Sequence, residues 1–193
     1  MLNPRRMIIK KEILFIWKGN LFKYNLNDGN STIQKITKTE FDSYFKETSL
    51  PKEMNQISKE DKYASSLNSL EEFCNKSYIQ TANEHFSSFF IYLYDNIFAA
   101  YLNVNIIFDN AEIDYICVDK KFLRKSISFQ LISLFETICK QENFSKIDKI
   151  LLEVGALNEP AINLYHKLGY KKISERKNYY KSKEDAFIME KIL

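Results

Sequence analysis

The sequence is poor in the residues that build metal sites and disulfide frameworks. Among its 193 residues are three cysteines and two histidines. Cys74, Cys117 and Cys139 have no metal-ligand spacing and are odd in number, so we expect free thiols, as in a reducing cytoplasm. His85 and His166 are too few for a zinc centre. The sequence therefore predicts neither a resident metal nor a disulfide-stabilised fold.

The sequence also lacks a hydrophobic run long enough to cross a bilayer. Its most apolar segment, residues 89–102, is divided by Asp95 and Asn96 into two runs of strand length. The earlier run ILFIW is shorter than the apolar part of a secretory signal, and Lys18 ends it. We therefore expect a soluble cytoplasmic protein without a membrane partner.

Neither sign of charge dominates the chain. It has 28 basic and 25 acidic side chains, for a net charge of +3. This balance argues against direct binding of nucleic acid. With 45% hydrophobic residues and no internal repeat, the chain is long enough for one sizeable core.

Hydrophobic periodicity and turn residues predict a mixture of strands and helices. Residues 1–30 are expected to be an N-terminal extension with a hairpin, EILFIW and LFKYNL, turning at Gly19. After it we expect the order β-α-α-β-β-β-α-β-α-β-β. The predicted strands cover residues 32–36, 89–94, 97–107, 112–118, 149–154, 170–177 and 187–193, with hairpin turns at Asp95–Asn96 and Asp109–Asn110. The predicted helices are one capped by Thr37 or Thr39 with Phe41 and Phe45 on one face, one capped by Asn68 or Ser69, one over residues 125–141, and one between Asn158 and Gly169.

A basic turn joins a predicted strand to a helix in VDKKFLRKSISFQLI, residues 118–132. The free N–H groups at a helix start bind phosphate, and Arg124 and Lys125 add positive charge. Ser126 and Ser128 stand where such a loop usually has glycine. A serine at positive φ loses about 1 kcal/mol relative to glycine, whereas a helical serine only crowds its Cβ. We expect a modified but working phosphate loop; the alternative is a relic.

Three segments, read together, resemble one family. They are EIDYICVDKKFLRKSISFQLI, LLEVGALNEPAINLYHKLGY and ERKNYYKSKEDAFIMEKIL. They are similar to the GNAT superfamily of acetyl-CoA-dependent acetyltransferases, and most like the bacterial ribosomal-protein-alanine N-acetyltransferases. The resemblance implies an α/β (α+β) fold over residues 31–193, with a central mixed, mostly antiparallel sheet flanked by helices.

The resemblance implies acetyl-CoA as co-substrate and no metal. It places the cofactor on the strand end Ile116, Cys117 and Val118, on the loop and helix start Arg124, Lys125, Ser126, Ile127, Ser128 and Phe129, and on Asn158. The bare sequence explains Asn158 as a helix cap. Cys117 is not expected to be a nucleophile, because neither histidine is obviously placed as its base.

Two residues are candidates for proton transfer. Glu153 lies among apolar residues in KILLEV, where a carboxylate is unfavourable without a partner or a task. Tyr165 has a hydroxyl that can protonate a leaving thiolate. Taken alone, Glu153 is equally explained as an ion-paired residue and Tyr165 as a core aromatic. The resemblance implies that Glu153 is the general base and Tyr165 the general acid.

The expected acceptor is a protein N-terminal α-amine, such as that of a ribosomal protein. About a tenth of α-amines are neutral at pH 7, against far fewer lysine side chains. The resemblance implies that Tyr179 and Tyr180 line the peptide groove; a surface hairpin explains them as well. Two alternatives stay open: a GNAT fold that has lost turnover and binds a peptide or partner, and an acetyltransferase of small-molecule amines.

Overall fold

The computed structural model describes residues 9–18, 20–26, 33–46, 85–141, 144 and 146–193. Gly19, Cys74 and the helix predicted near Asn68 lie outside these ranges. So do the side chains of Phe41 and Phe45. Within the described residues, no helix is long and apolar enough to cross a membrane.

In the part of the chain that the structure describes, nine strands form one sheet in the order β3-β2-β1-β4-β5-β6-β7-β9-β8. All neighbours pair antiparallel except β6 and β7, which are parallel. The mixed, mostly antiparallel sheet expected from the sequence is therefore confirmed. The strands are β1 (Lys11–Trp17), β2 (Asn20–Asn25), β3 (Ile33–Ile36), β4 (His85–Tyr94), β5 (Ile97–Ile107), β6 (Asn110–Val118), β7 (Lys149–Gly155), β8 (Lys171–Arg176) and β9 (Ala186–Ile192).

The described ranges contain three α-helices: α1 (Lys38–Lys46), α2 (Ile127–Lys140) and α3 (Glu159–Lys167). The predicted cap of α1 is confirmed as a capping box. The Thr37 hydroxyl accepts from the N–H of Glu40, and the Glu40 carboxylate accepts from the N–H of Thr37. Helix α2 starts at Ile127, two residues later than predicted, because Ser126 adopts a left-handed conformation.

The predicted N-terminal hairpin is present and belongs to the same sheet. β1 pairs with β2 on one side and with β4 on the other. Its Phe15 and Trp17 are buried, and the Trp17 ring lies 6.4 Å from that of Phe135 on α2. The hairpin residues thus supply part of the core beneath α2.

One hairpin turn was predicted correctly and the other was displaced by one residue. Asp95 and Asn96, both at positive φ, join β4 to β5 as expected. The β5–β6 turn is Phe108–Asp109, not Asp109–Asn110, because Asn110 already pairs with Ile107. The pairing of the long strands fixed this register, and the local preference of the Asp-Asn pair did not.

Candidate active site

Strands β6 and β7 lie side by side over only part of their length. Parallel pairing joins residues 110–113 to residues 149–152. After this point β6 keeps β5 as its partner and β7 keeps β9. The separated ends are residues 114–118 of β6 and 153–155 of β7. We call the opening between them the β6–β7 cleft.

The β6 side of the cleft contains the three residues predicted to contact the cofactor arm. Ile116, Cys117 and Val118 are extended and pair with β5, while their other edge has no strand partner among the described residues. An extended ligand can pair its amides with such an edge. Cys117 is buried, forms no disulfide with a described cysteine, and packs on the opposite face of the sheet from Ile116 and Val118.

The β7 side of the cleft begins with Glu153. Its Oε1 lies 2.8 Å from Nη1 of Arg176, which reaches it across β9. The Tyr179 side chain also faces this carboxylate, and a hydrogen bond to Glu153 together with its negative charge raises the pKa of the Tyr179 hydroxyl. Glu153 is therefore both ion-paired and located at the cleft, so the two explanations of this residue are compatible.

Internal contacts hold the loop that carries Tyr179 and Tyr180. Asp185 accepts from the Lys177 ammonium and from the N–H of Asn178, both at 2.9 Å. These contacts lower the pKa of Asp185. The tyrosine rings pack edge to face, with centroids 5.1 Å apart. The structure thus brings Tyr179 to Glu153, while the groove role of both tyrosines stays a prediction.

Tyr165 is buried on the inner face of α3. Its ring packs edge to face on that of Tyr170, with centroids 5.9 Å apart. Behind Tyr170 lies a partly buried ion pair in which Lys191 Nζ donates to the buried Glu136 at 2.6 Å. Burial and the Glu136 carboxylate raise the pKa of Tyr170. Tyr165 therefore has a rigid support, and its part in proton transfer stays a prediction.

The predicted cap and stop of α3 are both confirmed. The Asn158 side chain accepts from the N–H of Ala161, at 3.4 Å, and Pro160 lies in the first turn. Gly169 follows the helix with φ of 94°, a conformation that suits glycine. Glu184 accepts from the N–H of Leu157, just before the cap. Contact between Asn158 and a cofactor stays a prediction.

The loop before α2 uses serine in a conformation that favours glycine. Ser126 has φ of 59°, and its side chain makes no capping hydrogen bond. Arg124 also has a positive φ, of 61°. Ser128 lies inside the first turn of α2, so only one of the two serines bears the backbone penalty. The first N–H groups of α2 have no partner within the helix.

The side chains around this loop differ in exposure. Arg124, Lys125 and Ser126 are exposed, whereas Ile127 is buried in the core and Phe129 is half-buried. Lys125 Nζ lies 4.8 Å from the centroid of the Tyr94 ring. Ile127 can therefore contact a phosphate only through its backbone N–H group.

The sequence did not single out two residues that the structure brings to the cleft. Arg176 comes to Glu153 through the sheet order, which places β9 between β7 and β8 and leaves no local signal in the sequence. Asp114 sits in a β-bulge of β6 and interacts electrostatically with Glu153. The sequence signal that could have identified Asp114 was an acidic residue inside the mostly apolar strand EIDYICV.

Comparison with known proteins identifies the family. Residues 51–170 match the model of the acetyltransferase (GNAT) family. An N-alpha-acetyltransferase of Saccharolobus solfataricus is 29% identical over 124 residues, which cover 58% of this chain and 73% of the relative. A putative [ribosomal protein bS18]-alanine N-acetyltransferase of Bacillus subtilis is 33% identical over 96 residues, covering 49% of this chain and 62% of the relative, less than two thirds of its length.

The fold agrees with this match. The crystal structure of the ribosomal-protein-S18-alanine N-acetyltransferase from Escherichia coli superimposes with a TM-score of 0.58 and 23% identity, over 74% of this chain and 87% of that one. The resemblance seen in the sequence is thereby confirmed. This chain belongs to the acetyltransferase (GNAT) family, whose members transfer acetyl groups from acetyl-CoA.

Proposed function

We propose that this acetyltransferase modifies the N-terminal α-amine of a protein or peptide, and that the β6–β7 cleft is its active site. One observation carries the proposal: the pairing of β6 with β7 ends at Ile113 and Leu152, so Glu153 is the first β7 residue beyond it, and residues 116–118 keep an edge without a strand partner among the described residues. A thioester lying along that edge and an amine beside Glu153 would meet in the cleft. The relatives' names, which specify α-amines and in one case an alanine, support this acceptor class.

The described residues fit the parts of acetyl-CoA. The open β6 edge offers N–H and C=O groups to the amides of the pantetheine arm. The first turn of α2 offers free N–H groups to the pyrophosphate, beside the exposed cations Arg124 and Lys125. Asn158, Ser126, Ser128 and Phe129 belong to the same proposed surface.

The chemistry requires a base for the amine and an acid for the thiolate. Glu153, acting through water, accepts the proton that the ammonium form of the amine must lose before it attacks. The nitrogen then forms a bond to the thioester carbonyl carbon, the C–S bond breaks, and the nitrogen releases its next proton to water as the amide forms. Tyr165 donates its proton to the departing thiolate, whose conjugate acid resembles a cysteine thiol with pKa of about 8.5. Arg176 and Tyr179 fix the orientation of the Glu153 carboxylate.

The acceptor is proposed to be a protein N-terminus, with a ribosomal protein as one case. Tyr179 and Tyr180 would line its groove. The proposal places the reaction in the cytoplasm. It is supported by Cys117 and Cys139, which form no disulfide within the described residues. The comparisons do not favour the alternatives of a small-molecule acceptor or an inactive binding module.

A thiol-release assay tests the acceptor class. Native protein and acetyl-CoA are mixed with peptides beginning with alanine, serine or methionine, beside the same peptides blocked at the N-terminus. Spermidine serves as the small-molecule amine. We expect release only with free N-termini. Release with spermidine and with no peptide would contradict the proposal.

Calorimetry tests the cofactor loop separately. We expect the native protein to bind acetyl-CoA, because backbone N–H groups hold the phosphate. The comparison is with a double variant, Ser126→Gly with Ser128→Gly. Binding by the double variant but none by native protein up to about 1 mM, equivalent to roughly 4 kcal/mol, would show that the loop is a relic.

A further inference from the structure

Asp114 lies where β6 bulges against β5 and where its pairing with β7 ends. Asn103 of β5 pairs with Tyr115, and the next β5 residue pairs with Ile113, so Asp114 is the extra residue of a β-bulge. Ile113 is also the last β6 residue paired with β7. Bulges redirect side chains and are common beside active sites. Asp114 is thus the first β6 residue of the cleft.

Asp114 and Glu153 occupy equivalent positions on the two sides of the cleft. They follow Ile113 and Leu152, which pair with each other and are buried in the core beneath α2. Glu153 alternates with Leu152 and Val154, so its side chain lies on the opposite face of the sheet. The Asp114 carboxylate lies on that same face, because it accepts a hydrogen bond from Asn103, a β5 residue that alternates with residues packed beneath α2. Desolvation and the negative charge of Glu153 raise the pKa of Asp114.

The two carboxylates differ in their partners. Glu153 is paired with Arg176. Asp114 accepts a hydrogen bond from the neutral amide of Asn103, at 2.8 Å, and no described lysine, arginine or histidine forms an ion pair with it. The other amide atom, Asn103 Oδ1, is buried and has no hydrogen-bond partner among the described residues. Within the described residues, the cleft therefore has one negative charge that no cation compensates.

We propose that Asp114 binds the acceptor amine in its ammonium form. The inference rests on the proposed function of the cleft. An α-ammonium group has a pKa of about 7.7–8.0, so at pH 7 about nine tenths of the acceptor is cationic. Asp114 attracts this major form, and the proton then passes through water to Glu153. The freed nitrogen lone pair forms the new N–C bond, as described above.

A purely structural role for Asp114 predicts different kinetic effects of its replacement from those that a charge role predicts. If the side chain only supported the bulge through Asn103, its replacement would change stability and would disturb both substrates alike. A charge role predicts an effect on the amine substrate alone. It also predicts a dependence on pH, because the attraction needs both an ionised Asp114 and a protonated amine.

The experiment compares Asp114→Asn with Glu112→Gln. Asparagine keeps an acceptor for the Asn103 amide but removes the charge. Glu112 is an exposed carboxylate on the same strand, within the part that still pairs with β7, and provides the control. We expect Asp114→Asn to raise KM for an alanine-initiated hexapeptide about tenfold at pH 7, as for one lost charge-assisted contact. KM for acetyl-CoA and all constants of Glu112→Gln should stay near native values.

The pH profile provides the second readout. The ratio of native to Asp114→Asn kcat/KM should be greatest near neutral pH. It should fall above pH 8, where the amine is neutral, and fall again in acid, where Asp114 is protonated. An unchanged peptide KM in Asp114→Asn, together with a kcat/KM ratio that does not vary with pH, would overturn the role of Asp114. Turnover of the peptide by native protein would still support the proposed function.

A binding measurement separates the two proposals if native protein acetylates no peptide. NMR titrations with alaninamide hydrochloride and with N-acetylalaninamide are then run on the native protein and Asp114→Asn, each with CoA present. NMR shifts that appear with alaninamide but not with N-acetylalaninamide, and that are lost in Asp114→Asn, would support ammonium binding by Asp114. They would not support acetylation of a peptide. Equal responses in both proteins would overturn it.

Discussion

The guanidinium of Arg176 lies 2.8 Å from the Glu153 carboxylate and reaches it across strand β9. The side chains are 54% and 28% exposed, so the pair is expected to contribute only about 0–1 kcal/mol to stability. Its main consequence is geometric. It holds the carboxylate of the proposed base at the mouth of the β6–β7 cleft.

Replacing Glu153 by glutamine should slow peptide acetylation about 10²-fold at pH 7, the scale of a lost general base. The deficit should shrink at pH 9, because most of the α-amine is then already neutral. Steady-state kinetics at both pH values measure this. Glu175→Gln, on the exposed strand β8, is the control. An equal deficit at both pH values would leave only the ion pair with Arg176 as the role of Glu153.

Replacing Tyr165 by phenylalanine should lower kcat by about 10²-fold, because the thiolate loses its proton donor. Acetyl-CoA affinity, measured by calorimetry, should stay unchanged. Tyr170→Phe is the matched control, since the two rings pack on each other and the Tyr170 hydroxyl faces Glu136 instead. Native kcat in Tyr165→Phe would remove this residue from the mechanism.

Replacing Ser126 by glycine should raise the free energy of unfolding by about 1 kcal/mol, because glycine adopts the left-handed conformation without the Cβ penalty. Ser128→Gly should have the opposite sign and lower it by about 0.5 kcal/mol, since that residue is helical. Urea denaturation measures both. Changes of the same sign would show that the two serines do not differ as their backbone angles indicate.

Replacing Lys191 by methionine should lower the free energy of unfolding by about 3 kcal/mol, because Glu136 would be left buried without its partner. The exposed pair of Lys172 and Glu175 provides the control, and Lys172→Met should cost less than about 1 kcal/mol. Adding Glu136→Met to Lys191→Met should restore much of the loss. Similar effects of the two single lysine variants would contradict the assigned difference in burial.

The sequence by itself determined the elements whose signals are local. The bounds of β5, the Asp95–Asn96 turn and the Asn158 cap follow from alternation, turn preference and capping, each of which acts over a few residues. The family resemblance was legible for the same reason, since a cap, a helix face and a stop stand together in NEPAINLYHKLGY. Glu153 and Tyr165 could be named as candidates from these segments.

Only the tertiary structure decided which of these residues meet. The sheet order places β9 between β7 and β8, and this brings Arg176 to Glu153. The bulge at Asp114 and the Phe108–Asp109 turn depend on the register of paired strands, to which local propensity contributes little. The left-handed conformation of Ser126, with φ of 59°, was likewise not indicated by its residue type, since serine usually avoids positive φ. Long-range pairing selects these features because it satisfies many backbone groups and buries one face at once.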